Sequence, residues 1–136
     1  MPDVHAVLSA SSSHRWLECP PSAKLNAEIA DKASEYAQQG SSAHELAEYK
    51  IKRFLGENVK DPTESLTYLD QEMADCTDSY AEYVSEQVAK AKERCKDPIV
   101  LVEQRLDFSK WVPQGFGTGD TVIVADDVLT IIDLKY

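Results

Sequence analysis

The stretch that decides the fold is Gly115–Tyr136, GFGTGDTVIVADDVLTIIDLKY. Two apolar runs, Thr121–Ala125 and Val128–Leu134, flank an Asp126-Asp127 pair. Runs rich in β-branched residues around a short polar break predict a hairpin. Asp-Asp is a weaker turn signal than Asn-Gly, so the loop takes two residues or four. Either loop gives one register, in which Val124 faces Leu129, Val122 faces Ile131 and Asp120 faces Asp133. Alternate side chains of a strand share a face, so Asp133 and Lys135 are expected to project together beside Asp120.

Directly opposed side chains have Cβ atoms roughly 4.5–5.5 Å apart, and like charges there are destabilising. A divalent cation removes the repulsion, because hard cations take carboxylate oxygens and Mg²⁺ keeps waters besides. A metal held in this way activates a water and stabilises a phosphoryl group, with Lys135 neutralising charge or steering the nucleophile. The competing reading is a polar hairpin end on which Lys135 tempers two aspartates.

Outward from the hairpin, Ile99–Phe108 (IVLVEQRLDF) reads as a strand. Its alternation puts Val100, Val102, Gln104 and Leu106 on one face, with Leu101 and Glu103 on the other. A polar Lys110–Gln114 link carrying Trp111 joins it to the hairpin. Before the strand, Tyr68–Lys96 repeats Met73, Tyr80, Val84, Val88 (or Gln87), Ala91 and Cys95 at steps of three or four. That period predicts an amphipathic helix with an acidic outer face, stopped by Asp97-Pro98. Lys60–Thr67 is a polar connector with Pro62.

Gly40 is expected to break the chain, with Ser42 and Glu45 forming a capping box on a helix running to about Leu55. Leu46, Tyr49 or Lys50, and Phe54 would line one side of it, and Gly56 and Asn58 mark its end. His44 then falls in the first turn, as a capping group or a ligand aimed into a groove, with Glu48 one turn on. His5–Ala10 is an apolar lead-in. Ser11–Ser13 is expected to cap a helix over His14–Cys19 with Trp16 and Leu17 buried. Pro20-Pro21 stops it, and a helix over Ser22–Ala37 follows, with Ala23, Ala27, Ala30, Leu25 and Ile29 as its apolar face. Cys19 is expected in the core, and Trp111 in the core or at a domain contact.

Helices over 11–96 followed by strands over 99–136 predict one α+β domain, an antiparallel meander with helices against it. The 136 residues are 43% hydrophobic and 28% charged, ordinary values for a globular chain. No apolar run reaches the 18 or more residues of a membrane span, and no signal peptide is evident, so a cytoplasmic location is expected. Three cysteines without a C-x-x-C pair suit reduced thiols. Fourteen basic against 24 acidic side chains give a net charge of −10. That opposes non-specific attraction to a polyanion and so counts against DNA binding without a local basic patch, bound metal or a partner.

Six motifs occur in order: Ser11–Ser13, Cys19-Pro20, Gly40 to His44, Val102-Glu103, Gly117 to Asp120, and Ile131-Ile132-Asp133-Leu134-Lys135. In this order they resemble the PD-(D/E)XK nuclease superfamily, and its RecB-like and phage exonuclease branch most of all. The resemblance implies a restriction-endonuclease-like α/β core within the α+β class. It implies Mg²⁺ or Mn²⁺ ligated by Asp120, Asp133, His44 and the backbone carbonyl of Leu134, with Lys135 orienting the attacking water. Asp120, Asp133 and Lys135 are the implied catalytic residues, and Glu103 and Glu48 would stand behind the ligands. Some relatives hold an iron–sulfur cluster through a cysteine at the position of Cys19 and three later ones. This chain supplies no later group, so no cluster is expected.

The implied function is a metal-dependent DNA nuclease of phage or prophage recombination type, acting at double- or single-stranded ends in a bacterial or infected cell. Superfamily members continue past D-x-K into a helix, often with Q-x-x-x-Y, and a further strand. The chain stops at Tyr136, so it is expected to be the front part of such a domain, cut or naturally truncated, and weak or inactive alone. The alternative is a non-catalytic acidic inhibitor that binds a nucleic-acid-processing protein, which the net charge favours.

Overall fold

Met73, Tyr80, Val84, Val88 and Ala91 form one buried stripe along α4, Gln71–Arg94, in the computed structural model. The structure describes residues 6–30 and 32–136. Asp70 opens the helix, its carboxylate accepting the Met73 N–H at 2.8 Å. Thr77 joins the stripe although it is polar. Its hydroxyl donates to the Met73 carbonyl at 2.8 Å and accepts from Lys50 Nζ at 2.8 Å, so its burial leaves no orphan group. The same ammonium donates to the Ala74 carbonyl at 2.9 Å, tying the preceding helix to α4.

The helix α3 spans Glu35–Phe54 without interruption, which corrects the expected break at Gly40 and the expected capping box. Ser34 is the cap, accepting the Ala37 N–H at 3.2 Å, and Ser42 is buried inside the helix. One glycine in a helix costs about 1 kcal/mol relative to alanine. Residues 35–39, EYAQQ, are mostly good helix formers that carry the helix through Gly40 to a better cap. His44 therefore lies in the third turn. The buried stripe is Ala43, Leu46, Ala47 and Ile51, and Phe54, the last residue of the helix, is half exposed although it falls on the same side. The end is as expected: Gly56 takes φ 85°, its N–H donates to Arg53, and the Glu57 N–H donates to Lys52.

Three strands, β1 (Ile99–Asp107), β2 (Phe116–Ala125) and β3 (Val128–Ile132), lie in the order β1-β2-β3 in an antiparallel sheet. The fold is α+β. β2 and β3 pair as Val122 with Ile131 and Val124 with Leu129, the expected register, across a two-residue turn. Asp126 takes φ 54° there, a left-handed conformation that aspartate tolerates. β3 stops at Ile132, two residues short of the expected end. Ile123, Ala125, Ile132 and Leu134 complete the core begun by α3 and α4.

The chain falls into two compact units. Ser34–Gln104 with Gly119–Tyr136 hold this core, and Met1–Ala33 with Arg105–Thr118 form the other. In the second, α1 (Ser13–Glu18) and α2 (Pro21–Ala27) are short. The expected helix to Ala37 ends at Ala27, and Leu25 and Ile29 are exposed, so no burial sustains a longer one. Leu17, Cys19 and Trp111 are exposed as well, against expectation, and only Trp16 is half-buried. The serines do not cap α1 through their side chains. Ser9 and Ser12 pair their hydroxyls at 2.6 Å instead. His5, in the expected lead-in, lies outside the described residues. Among the described residues, no helix is long and apolar enough to cross a membrane.

Candidate metal centre

Asp120 stands near the middle of β2, immediately before the fully buried Thr121. Its Oδ2 accepts the Leu134 backbone N–H at 2.7 Å, so the chain leaving β3 fixes the carboxylate. His44 reaches the same oxygen from α3, with Nδ1 3.3 Å away. Glu103 on β1 completes a half-buried group of three whose ligand atoms all lie within 4.8 Å of one another. His44, Glu103 and Asp120 line a space of about 10 Å³, room for one water-sized sphere.

Glu103 has φ 50° in the middle of a strand. A left-handed conformation is uncommon for a residue other than glycine and costs of order 1–3 kcal/mol where the fold imposes it. Its effect here is to break the alternation, so that Val102 and Glu103 line the same cavity. The expected placement of Glu103 on the face opposite Val102 is thereby corrected. No local pattern signals this, since neither residue is a turn former. Only the Val-Glu pair among the family-like motifs drew notice to it.

The electrostatics are those of a crowded anionic site. Burial raises the Glu103 carboxyl above its ordinary range, and the charges of Asp120 and Glu48 add to that. Burial also pushes Asp120 up, but hydrogen bonds from His44 and the Leu134 N–H outweigh it and hold the carboxyl below its ordinary value. The hydrogen bond to Asp120 raises the His44 imidazole, against the opposing effect of burial. Behind the site, the Tyr80 hydroxyl meets Thr121 Oγ1 at 2.8 Å and donates to the Ile132 carbonyl at 3.4 Å. Burial pushes this phenol up to about 12. Tyr80 belongs to the α4 stripe and was legible as core, but nothing in the sequence pointed to its bond with Thr121.

The structure thus brings together His44, Asp120 and Glu103 from the expected set. Glu48 lines the same space one helical turn from His44 and pairs with Lys52 at 2.5 Å. Leu134 contributes its N–H to Asp120, and its side chain is buried. Asp133 and Lys135 form an ion pair with each other, and the Lys135 side chain is 86% exposed. Neither is one of the three clustered residues.

Fold and site together define an α+β protein with a half-buried His-Glu-Asp cluster on a helix and two strands. The chain belongs to the family described as a protein of unknown function (DUF2800), which matches it over residues 5–136. No solved structure matches it.

Proposed function

We propose that the protein is a Mg²⁺- or Mn²⁺-dependent deoxyribonuclease of the PD-(D/E)XK type. The observation that carries this reading is the His44–Glu103–Asp120 cluster. Two carboxylates and an imidazole converge at half-buried depth, and burial, with the neighbouring charges adding to it, raises one of the carboxyls. Such a donor set suits a hard or borderline divalent ion, across which opposite ligands stand roughly 4 Å apart at 2.0–2.1 Å bond lengths. The ion, when bound, supplies charge neutralisation for the phosphodiester and a more acidic water.

The residues of this chain do the rest. Asp120, fixed by the Leu134 N–H, holds its oxygens in place before any ligand arrives. His44 and Glu103 complete the donor set, and Glu48 stands beside them as a partner for Lys52. Lys135, beside Asp133, is the residue to orient the attacking water. Water oxygen bonds to phosphorus as the P–O3′ bond breaks, leaving a 3′-hydroxyl and a 5′-phosphate.

The test is degradation of end-labelled DNA by the purified protein in Mn²⁺ or Mg²⁺. Asp120→Asn, Glu103→Gln and Lys135→Ala should abolish it, and Ser109→Ala should leave it unchanged. Ion binding without hydrolysis by a version that continues past Tyr136 through the following helix would reject the nuclease. The net charge of −10 favours a second reading, a non-catalytic binding protein whose acidic surface engages a nucleic-acid-processing partner. Retention of that partner by an Asp120→Asn protein would support it.

A further inference from the structure

We propose that the N-terminal unit carries a separate site for a phosphate monoester, in the cavity between residues 6–12, α1 and α2. The cavity has a volume of about 600 Å³. Small-molecule sites commonly span roughly 300–1,000 Å³, so it has room for an organic phosphate and not merely a bare ion.

Its chemistry is the opposite of the protein's own. The chain has 24 carboxylate side chains and 14 basic ones, yet among the described residues no carboxylate lines this cavity, and Arg15 is the one charged residue that does. Ser9, Ser11, Ser12, Ser22 and Asn26 line it together with Arg15. Ser9, Ser11 and Ser12 share hydrogen bonds with one another, which their hydroxyls can rotate to exchange for a ligand's, and the Ser22 hydroxyl and Asn26 amide can donate as well. A guanidinium presents a fixed fork that matches phosphate oxygens two at a time. Among the described residues Arg15 makes no ion pair, so that fork is not committed to a carboxylate there.

Ser22 supplies an independent sign. Its Oγ is shielded from solvent and has no hydrogen-bond partner among the described residues. A buried hydroxyl left so costs about 1–3 kcal/mol, and such groups call for a partner. Trp16 supplies the wall for the organic part. Its Nε1–H donates to the Ser9 carbonyl at 2.9 Å, which leaves the indole to pack and not to hydrogen-bond a ligand. The ligand is therefore a phosphoryl group on Arg15 and the serines, carrying a flat or apolar body against Trp16. A free nucleotide and the phosphorylated end of a nucleic-acid strand share that chemistry. The site does not depend on the metal cluster being catalytic.

The experiment follows Trp16 fluorescence in a Trp111→Phe background, with AMP, adenosine, and one oligonucleotide with and without a 5′-phosphate. Saturable quenching by AMP but not adenosine is expected. Tighter binding of the phosphorylated oligonucleotide than of AMP would assign the site to strand ends, and the reverse to free nucleotides. Arg15→Gln should weaken AMP at least tenfold with an unchanged far-ultraviolet circular dichroism spectrum. Ser22→Ala should weaken it at least threefold without lowering the melting temperature. Equal binding of AMP and adenosine, or unchanged affinity in Arg15→Gln, would overturn the proposal. So would a Ser22→Ala protein that melts lower but binds AMP as before.

Discussion

His44 and Leu134 meet at one atom of Asp120: the imidazole Nδ1 lies 3.3 Å from Oδ2, and the Leu134 N–H donates to the same oxygen at 2.7 Å. A helix side chain and a strand-end backbone thus hold one carboxylate between them. Asp120 is organised in advance of any ligand.

Metal should stabilise the folded chain by mass action. At 100 times the dissociation constant the gain is about 2.7 kcal/mol. Melting temperature should rise by several degrees in Mn²⁺, and Asp120→Asn should lose most of that rise. Equal shifts in both proteins, measured by calorimetry, would place the ion elsewhere.

Glu103→Gly should move two readouts in opposite directions. Glycine adopts φ 50° without the penalty of a side chain, and the substitution also removes a charge repelled by Asp120. The ion-free protein should therefore gain about 1 kcal/mol or more, as the cost of a left-handed residue disappears. The Mn²⁺-dependent rise should vanish. Glu103→Gln keeps the strained backbone, so it should lose the metal response with a smaller gain. Loss of stability in the glycine variant would show that the side chain, and not the strand, sets this conformation.

Tyr80→Phe leaves the buried Thr121 hydroxyl without its partner and should cost about 1–3 kcal/mol. The phenol also sets an alkaline limit. Its folded value of about 12 lies above the ordinary 10, so the folded chain holds that proton more tightly than the unfolded chain does. This contribution is fully present below about pH 10 and is lost as pH rises from there through 12. Urea titrations between pH 9 and 11 should show a shallower loss of stability in Tyr80→Phe than in the parent.

Two glycines of α3 should respond with opposite signs. A Cβ at Gly40 meets nothing within 4 Å inside a continuous helix, so Gly40→Ala should add about 0.5–1 kcal/mol. Gly56 closes the helix at φ 85°, so Gly56→Ala should remove about 1 kcal/mol. Denaturant midpoints decide both.

These cases also show what one sequence can and cannot reveal. The hairpin register was legible because a loop of two residues or four centred on Asp126-Asp127 gives the same pairing of the two β-branched runs. The α4 stripe was legible because it repeats over six turns. Gly40 misled because a glycine followed by Ser-x-x-Glu mimics a helix start, while the deciding preference lies in the residues before it. Glu103 misled because alternation assumes regular backbone, and one left-handed residue turns a side chain to the other face. Leu17 and Leu25 misled because hydrophobicity says that a side chain favours burial, not that a neighbour is there to bury it. The family-like motifs picked out His44 and Asp120, which spacing alone could not bring within 3.3 Å.

The uninterrupted run of α3 through Gly40 has a kinetic corollary for His44. Had the helix begun at Ser42, the imidazole would hang from a fraying first turn whose amides exchange freely with solvent. In the third turn, flanked by the buried Ala43 and Leu46, its amide should exchange only when the whole core opens. The entropy of ordering this ligand is then lost during folding and not during ion capture. Ion association at His44 should accordingly approach the speed of water exchange on the metal, with no slower conformational step ahead of it.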